Sequence, residues 1–208
     1  AEALGVQNVM IIDPAARFNH TEIDDTNPTI IDSKGKKVQR SPEEMAAQQQ
    51  HKLFAQNATE FLTITEYPTT RECLQALRAT GHDIWATDLS QEAVPLIPEV
   101  LQEQAPSQMS QSASSPSSNG IPDKLAIVFG TEAVGCSQEM LQACDLRVYL
   151  PLRGYADSLN LSVATALVLH HLFLLKPDFI GLATEEERRE LRRAWFPKLA
   201  SQRLLSSR

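Results

Sequence analysis

From Leu161 to Leu175 the chain runs fifteen residues without a formal charge, broken only by Ser162, Thr165, His170 and His171 among its strongly polar members. Such a stretch has to be kept from water along most of its length. It falls short of the roughly 20 apolar residues that a bilayer-spanning helix needs. The sequence therefore predicts a buried core helix, from about Ser158 to Leu175 and closed by Lys176-Pro177, and no membrane anchor. A helix that is apolar on every side needs other elements around it, and the upstream chain supplies them.

Val9-Met10-Ile11-Ile12 is a short apolar run stopped by Asp13-Pro14, the pattern of a buried strand ending in a turn. Phe61 to Thr65 alternates as a strand, and Asp83 to Thr87 follows as another. Leu125 to Phe129 is continuously apolar, and Leu146 to Leu150 completes the set. Between them lie helix signals. Ser41-Pro42-Glu43-Glu44 opens a helix expected to reach Asn57, Thr69 and Glu72 form a capping box with Gly81 as the stop, and Ser137 caps a helix through Cys144. Strands alternating with helices predict an α/β fold, a parallel sheet with helices on both faces.

Two segments fall outside this alternation. Residues 17–40 are polar and turn-rich, and residues 102–120 hold seven serines with almost no large apolar side chain, so both are expected as surface insertions in one domain. Three cysteines, Cys73, Cys136 and Cys144, lack CxxC spacing and build neither a disulfide framework nor a zinc cage. They point to a reducing compartment such as the cytoplasm, while the start at Ala1 rather than Met reads as a fragment and leaves an organellar address open. No histidine pattern suggests a metal; adjacent His170 and His171 are expected at the edge of their helix.

The net charge of −7 is unevenly spread: residues 184–208 carry seven basic against four acidic side chains, leaving −10 on the first 183. Glu185–Arg189 and Glu190–Arg193 would support a helix in this tail. Its Arg188, Arg189, Arg192 and Arg193, followed by Trp195 and Phe196, are either a solvated face or a surface for a polyanion, because phosphate contacts follow local potential rather than total charge.

Ligands in open parallel sheets sit beyond the carboxyl ends of the strands. Here those ends are Thr87-Asp88-Leu89, Gly130-Thr131-Glu132 and Leu150-Pro151-Leu152. The spacing of Gly130 and Gly135 is neither the GxGxxG of a dinucleotide fold nor the GxxxxGK[ST] of a phosphate loop, which disfavours a Rossmann dehydrogenase and a P-loop enzyme. Ser158 beside Asp157 has no GxSxG elbow around it, so a helix cap is the plainer role than a hydrolase nucleophile.

Taken together, Phe129-Gly130-Thr131-Glu132-Ala133-Val134-Gly135, then Leu150-Pro151, then Ser158-Leu159-Asn160-Leu161-Ser162-Val163-Ala164 resemble the SpoU/TrmH family of RNA ribose 2′-O-methyltransferases. Ile84 to Ser90 resembles the family's adenosine-side loop. The resemblance covers most of the chain to about Leu199 apart from the two insertions, and is greatest to the branch that methylates a guanosine in the tRNA D-loop. It implies a SPOUT α/β fold with a C-terminal trefoil knot, a homodimer, S-adenosylmethionine as cofactor, tRNA or another structured RNA as partner, and no metal. It implies a methyltransferase domain over residues 1–183, missing the start of its first motif, and a basic helical tail over 184–208. By the resemblance, Thr87, Gly130, Gly135, Leu150 and Leu159 bind cofactor and Glu132, Ser158 and Asn160 are catalytic, while on the polyanion reading of the tail Arg188, Arg189, Arg192 and Arg193 meet RNA.

Methyl transfer from a sulfonium is an in-line displacement on an already activated carbon, so the protein mainly positions the reactants and assists loss of the hydroxyl proton. The family assigns that assistance to an arginine of its first motif, N-x-x-x-x-x-R-T-A. A guanidinium, with a pKa above about 12, suits gripping phosphate and ribose better than accepting a proton. Ala1 to Val6 resembles the tail of that motif, which would place the arginine two residues before Ala1; Arg17 lies where no family motif puts it. The chain is thus expected to bind cofactor and to methylate poorly. A non-catalytic RNA- or cofactor-binding domain is the alternative, and a nicotinamide dehydrogenase a third reading.

Overall fold

In the computed structural model, residues 1–14, 29–31, 37–39, 41–42, 58–108, 119–155 and 158–206 are described. Two compact units result, Ala1–Lys176 and Pro177–Arg208. The helix expected from Ser41 to Asn57 lies outside the described residues beyond Pro42, as do Arg17 and Asp157.

Strand β1 (Asn8–Ile12) pairs in parallel with β4 (Thr63–Tyr67), and the N–H of Asp13 extends the ladder to the Tyr67 carbonyl at 2.9 Å. The second of these strands starts two residues later than its alternation suggested, because Phe61 ends a 3-10 turn over Ala58–Phe61. Inside the segment expected as an irregular insertion, β2 (Thr29–Ile31) and β3 (Lys37–Gln39) form an antiparallel pair. The larger sheet has four parallel strands in the order β6-β8-β5-β7, from Val94–Pro95, Leu146–Tyr149, Asp83–Thr87 and Leu125–Val128. The single sheet expected from the sequence is thus two parallel sheets and one antiparallel pair among the described residues.

Helix α1 (Thr70–Ala79) begins where its capping box puts it: the Thr69 hydroxyl accepts the Glu72 N–H, and Gly81, with φ +75°, ends the turn that follows. Its contacts with β1, β4 and β5 join the two parallel sheets. Helix α3 (Gln138–Ala143), capped by Ser137 through the Met140 N–H, packs on α1. Together they cover the face of β5 that carries Ile84 and Ala86, and Cys73, Leu77 and Met140 close the core there. Full burial of each such large apolar side chain contributes about 1.5–3 kcal/mol.

Helix α2 (Pro98–Gln108) overrides the first part of the expected insertion at 102–120. Pro98 occupies the first helical position and Leu101 is fully buried, one anchor that a serine- and glutamine-rich composition conceals. Helix α4 (Leu161–Leu175) departs from expectation in two ways. It starts at Leu161, with Asn160 and not Ser158 as its cap. Only Val168, Leu169 and Leu172 are buried, while Val163, Leu167 and Leu174 are exposed along one side. Three links fasten it: His171 Nε2 to the Leu96 carbonyl at 2.7 Å, Asn119 Nδ2 to the Leu175 carbonyl at 2.6 Å, and Lys176 Nζ to the Ile121 carbonyl at 2.9 Å and Asp123 at 2.6 Å. No described helix is long and apolar enough to cross a membrane.

In the second unit α5 (Glu185–Ser206) opens on a capping box absent from the sequence reading, Thr184 with Glu187. Those hydrogen bonds hold the Glu187 carboxyl below its usual range. Arg188 bonds Glu185 one turn back and also the Gly181 carbonyl.

Beneath the sheet, burial first and the nearby Asp145 carboxylate second raise the Asp83 carboxyl above its ordinary 3.8, with Arg78 and His82 opposing. A carboxyl that binds its proton more tightly when folded costs stability on ionising, as pH climbs from about 4. Asp83→Asn should accordingly raise the thermal midpoint at pH 7, and the gap from the unsubstituted protein should close toward pH 3. A lowered midpoint at pH 7 would contradict this sign.

Candidate functional site

Because β7, β5 and β8 are neighbours and all parallel, their carboxyl ends open on one edge of the sheet. Thr87 ends β5, its register partner on β8 is Val148, and its hydroxyl donates to the Val128 carbonyl of β7 at 3.0 Å. Gly130 follows β7 and Leu150 follows β8, so three segments distant in sequence meet here.

The turn after β7 is closed by its own backbone: Thr131 N–H donates to the Gly135 carbonyl at 3.1 Å and Gly135 N–H to the Thr131 carbonyl at 2.9 Å. Gly130 makes the closure possible, since a Cβ there would stand 2.0 Å from the Gly135 carbonyl carbon and 2.2 Å from the Cys136 nitrogen. Gly135, at φ +70°, uses the left-handed backbone instead. From this turn the exposed Glu132 reaches across 29 residues and accepts the Leu161 N–H at 3.2 Å. Asn160 Oδ1 accepts the Ser162 N–H at 2.9 Å and the Ser162 hydroxyl at 2.5 Å. Glu132 and Asn160 therefore satisfy the first two N–H groups of α4, which have no partner within the helix. Ser158 is exposed two residues earlier, and Leu150 and Leu159 are half-buried.

Thr87, Gly130, Gly135, Leu150, Glu132 and Asn160 all belong to these strand ends or to the α4 start bonded to them. Of the tail arginines, Arg189, Arg192 and Arg193 are exposed on α5, whereas Arg188 is half-buried and bonded within its own unit. Two participants were missed by sequence reasoning. Cys136 Sγ lies 3.5 Å from the Thr87 carbonyl, and burial pushes its thiol up to about 11, so it stays protonated at neutral pH and behaves as a weak donor. Arg147, which registers with Ala86, ion-pairs with Glu92 at 2.5 Å and stands 3.8 Å from Asp88. Nothing local in the sequence signals either, because Arg147 depends on strand register and Cys136 on how the turn after β7 closes.

The segments that make this edge carry the exposed apolar side chains of Leu89, Val134 and Leu152. A glycine turn that brings backbone to the surface, flanked by apolar side chains, suits a nucleoside-like molecule. Among the described residues no group of three or more His, Cys, Asp or Glu side chains is placed to hold a metal ion.

The profile of the SpoU rRNA methylase family matches residues 36–170. A tRNA (guanosine(18)-2′-O)-methyltransferase of Borreliella burgdorferi is 29% identical over 141 residues, 67% of this chain and 56% of that protein. The 23S rRNA (guanosine(2553)-2′-O)-methyltransferase RlmP of Bacillus subtilis is 40% identical over 50 residues, 24% of this chain and 20% of that one. The chain thus spans about half, or less, of the length of these relatives. A crystal structure of an A. aeolicus TrmH/SpoU tRNA modifying enzyme superposes with a TM-score of 0.55 at 19% identity, covering 94% of this chain and 77% of the other, which shows a shared α/β fold.

Proposed function

Since the chain belongs to the SpoU rRNA methylase family, we propose that it transfers a methyl group from S-adenosylmethionine to a ribose 2′-hydroxyl of RNA, at a guanosine of the tRNA D-loop. The observation that carries this reading is the meeting of three strand ends with the start of α4, bonded by Glu132 to Leu161 N–H. The donor and the acceptor both have to be held at one place, and an edge assembled from separate segments provides it.

In this reading the backbone around Thr87, Gly130, Gly135, Leu150 and Leu159 holds the cofactor. S-adenosylmethionine, when bound, supplies a methyl group on a positively charged sulfur. Glu132 and Asn160 fix the α4 start relative to the turn after β7, and the exposed Ser158 hydroxyl hydrogen-bonds the ribose. Proton loss from the 2′-hydroxyl falls to an RNA phosphate. Residues 1–183 form the methyltransferase domain with a trefoil-knotted C-terminal part, and the tail 184–208 grips RNA through Arg189, Arg192 and Arg193, with Arg188 set behind them. Two copies pair through the exposed apolar side of α4, and the protein works in the cytoplasm.

Titration calorimetry with S-adenosylmethionine and with NAD is the first test, and binding of the former alone is expected. Transfer of labelled methyl is then measured to a tRNA transcript, to the same transcript already 2′-O-methylated at its D-loop guanosine, and to an rRNA fragment. Label should enter only the first. NAD binding without S-adenosylmethionine binding would overturn the reading, and label in the rRNA alone would overturn the choice of tRNA.

A further inference from the structure

The connection from β5 to β6 takes an uncommon route. Thr87 at the end of β5 and Val94 at the start of β6 both register with Val148, on opposite sides of β8. Residues 88–93 therefore pass across β8 from one flank to the other. Ala86 and Arg147 are register partners and Ala86 belongs to the core cluster that α1 and α3 cover, so Arg147 stands on that face, and its ion pairs with Asp88 and Glu92 put the crossing there too.

Arg147 is held from both directions. Its Nε and one terminal nitrogen donate to the Leu141 carbonyl of α3 at 3.1 and 3.0 Å. Its other terminal nitrogen meets Glu92 at 2.5 Å and Asp88 at 3.8 Å, the two carboxylates of the crossing segment. Asp88 in turn shapes the segment, accepting the Leu89 N–H at 2.9 Å and the Ser90 hydroxyl at 2.5 Å. A planar guanidinium fork can serve a carbonyl and a carboxylate at once, which an ammonium cannot do in one fixed geometry.

We propose that Arg147 is a positioning residue for the cofactor site: it latches the 88–93 crossing to α3 and so sets the backbone of Thr87 to Leu89 at the strand-end edge. This rests on the reading that the edge binds S-adenosylmethionine. Without the latch the segment samples other arrangements, and affinity falls by the fraction of time spent in the competent one.

The test compares S-adenosylmethionine dissociation constants of the full chain and its variants by calorimetry, at a temperature where circular dichroism shows each folded. Arg147→Met, which keeps stem length and loses the charge, should weaken binding about tenfold, by leaving the competent arrangement about a tenth of the time. Arg147→Lys, which keeps the charge facing Asp88 and Glu92, should recover about half of that loss on a logarithmic scale. Glu92 is largely exposed, so Glu92→Gln leaves the core intact and should weaken binding about threefold through the same latch. If Arg147→Met does not fold, Glu92→Gln decides alone: a threefold loss supports the latch and an unchanged constant overturns it. A folded Arg147→Met that binds within about twofold of the unsubstituted protein overturns the proposal, as does a Lys variant no better than Met. Absence of binding by the unsubstituted protein is a different result, and would bring down the cofactor reading itself.

Discussion

Gly130→Ala is expected to lower the affinity for S-adenosylmethionine at least about a hundredfold, with Gly135→Ala as the milder comparison. The added methyl carbon at position 130 meets backbone on both sides, 2.0 Å from the Gly135 carbonyl carbon and 2.2 Å from the Cys136 nitrogen. No rotamer change relieves such a clash, so the turn has to open and both hydrogen bonds between Thr131 and Gly135 are lost. Glu132 sits inside that turn, and its bond to Leu161 N–H goes with it. At position 135 nothing lies within 4 Å of the added carbon, and the cost is the left-handed backbone at φ +70°, about 1 kcal/mol. Calorimetric titration of both variants checks the order. Equal affinities would mean that closure of this turn does not shape the cofactor edge.

The contrast between these two glycines marks the limit of what the sequence discloses. A glycine pair around an acidic residue after an apolar strand is visible in one dimension, and so is the edge that it forms with Thr87 and Leu150. Helix caps are equally local, which is why Thr69 with Glu72 and Ser137 before Gln138 place their helices to within a residue. Which glycine is sterically required is not local, because it depends on how tightly the turn folds on itself. The same holds at Ser158 and Asn160, two plausible caps two residues apart. The helix starts at the second because Glu132, 29 residues upstream, takes the Leu161 N–H.

Hydropathy misleads about α4 for a related reason. Its composition says that water is unwelcome along the helix, and nothing in it says where the covering surface comes from. Val168, Leu169 and Leu172 find theirs within the chain. Val163, Leu167 and Leu174 find none among the described residues, and the exposed His170 falls on the same side at helical spacing. Segment 98–108 shows the opposite error, in which weak composition hides a helix anchored by Leu101.

Asp145 has the largest expected effect on stability, and sequence reasoning gave it no role. Its carboxylate oxygen Oδ2 accepts the Ile84 N–H at 2.6 Å and pairs with Arg78 at 2.6 Å, while its own N–H donates to the Ile84 carbonyl at 2.7 Å. Arg78 continues the junction to the Ala143 carbonyl at 2.9 Å, so one carboxylate ties the end of α1, the start of β5 and the link from α3 to β8. Asp145→Ala strands both the Ile84 N–H and a guanidinium already committed to the Ala143 carbonyl. Losing one partner of a mostly buried charged pair costs about 3–5 kcal/mol, and the partial exposure of Arg78 puts this site near the lower end. Denaturant unfolding should show the loss as a lower midpoint with an unchanged slope. Arg78→Met should cost less, because it leaves Asp145 bonded to Ile84, and the double variant should cost clearly less than the sum of the two. Additive losses would mean that the pair acts as two independent contacts, and the three elements would then be held by the shared core of Leu77, Ile84 and Met140 rather than by this junction.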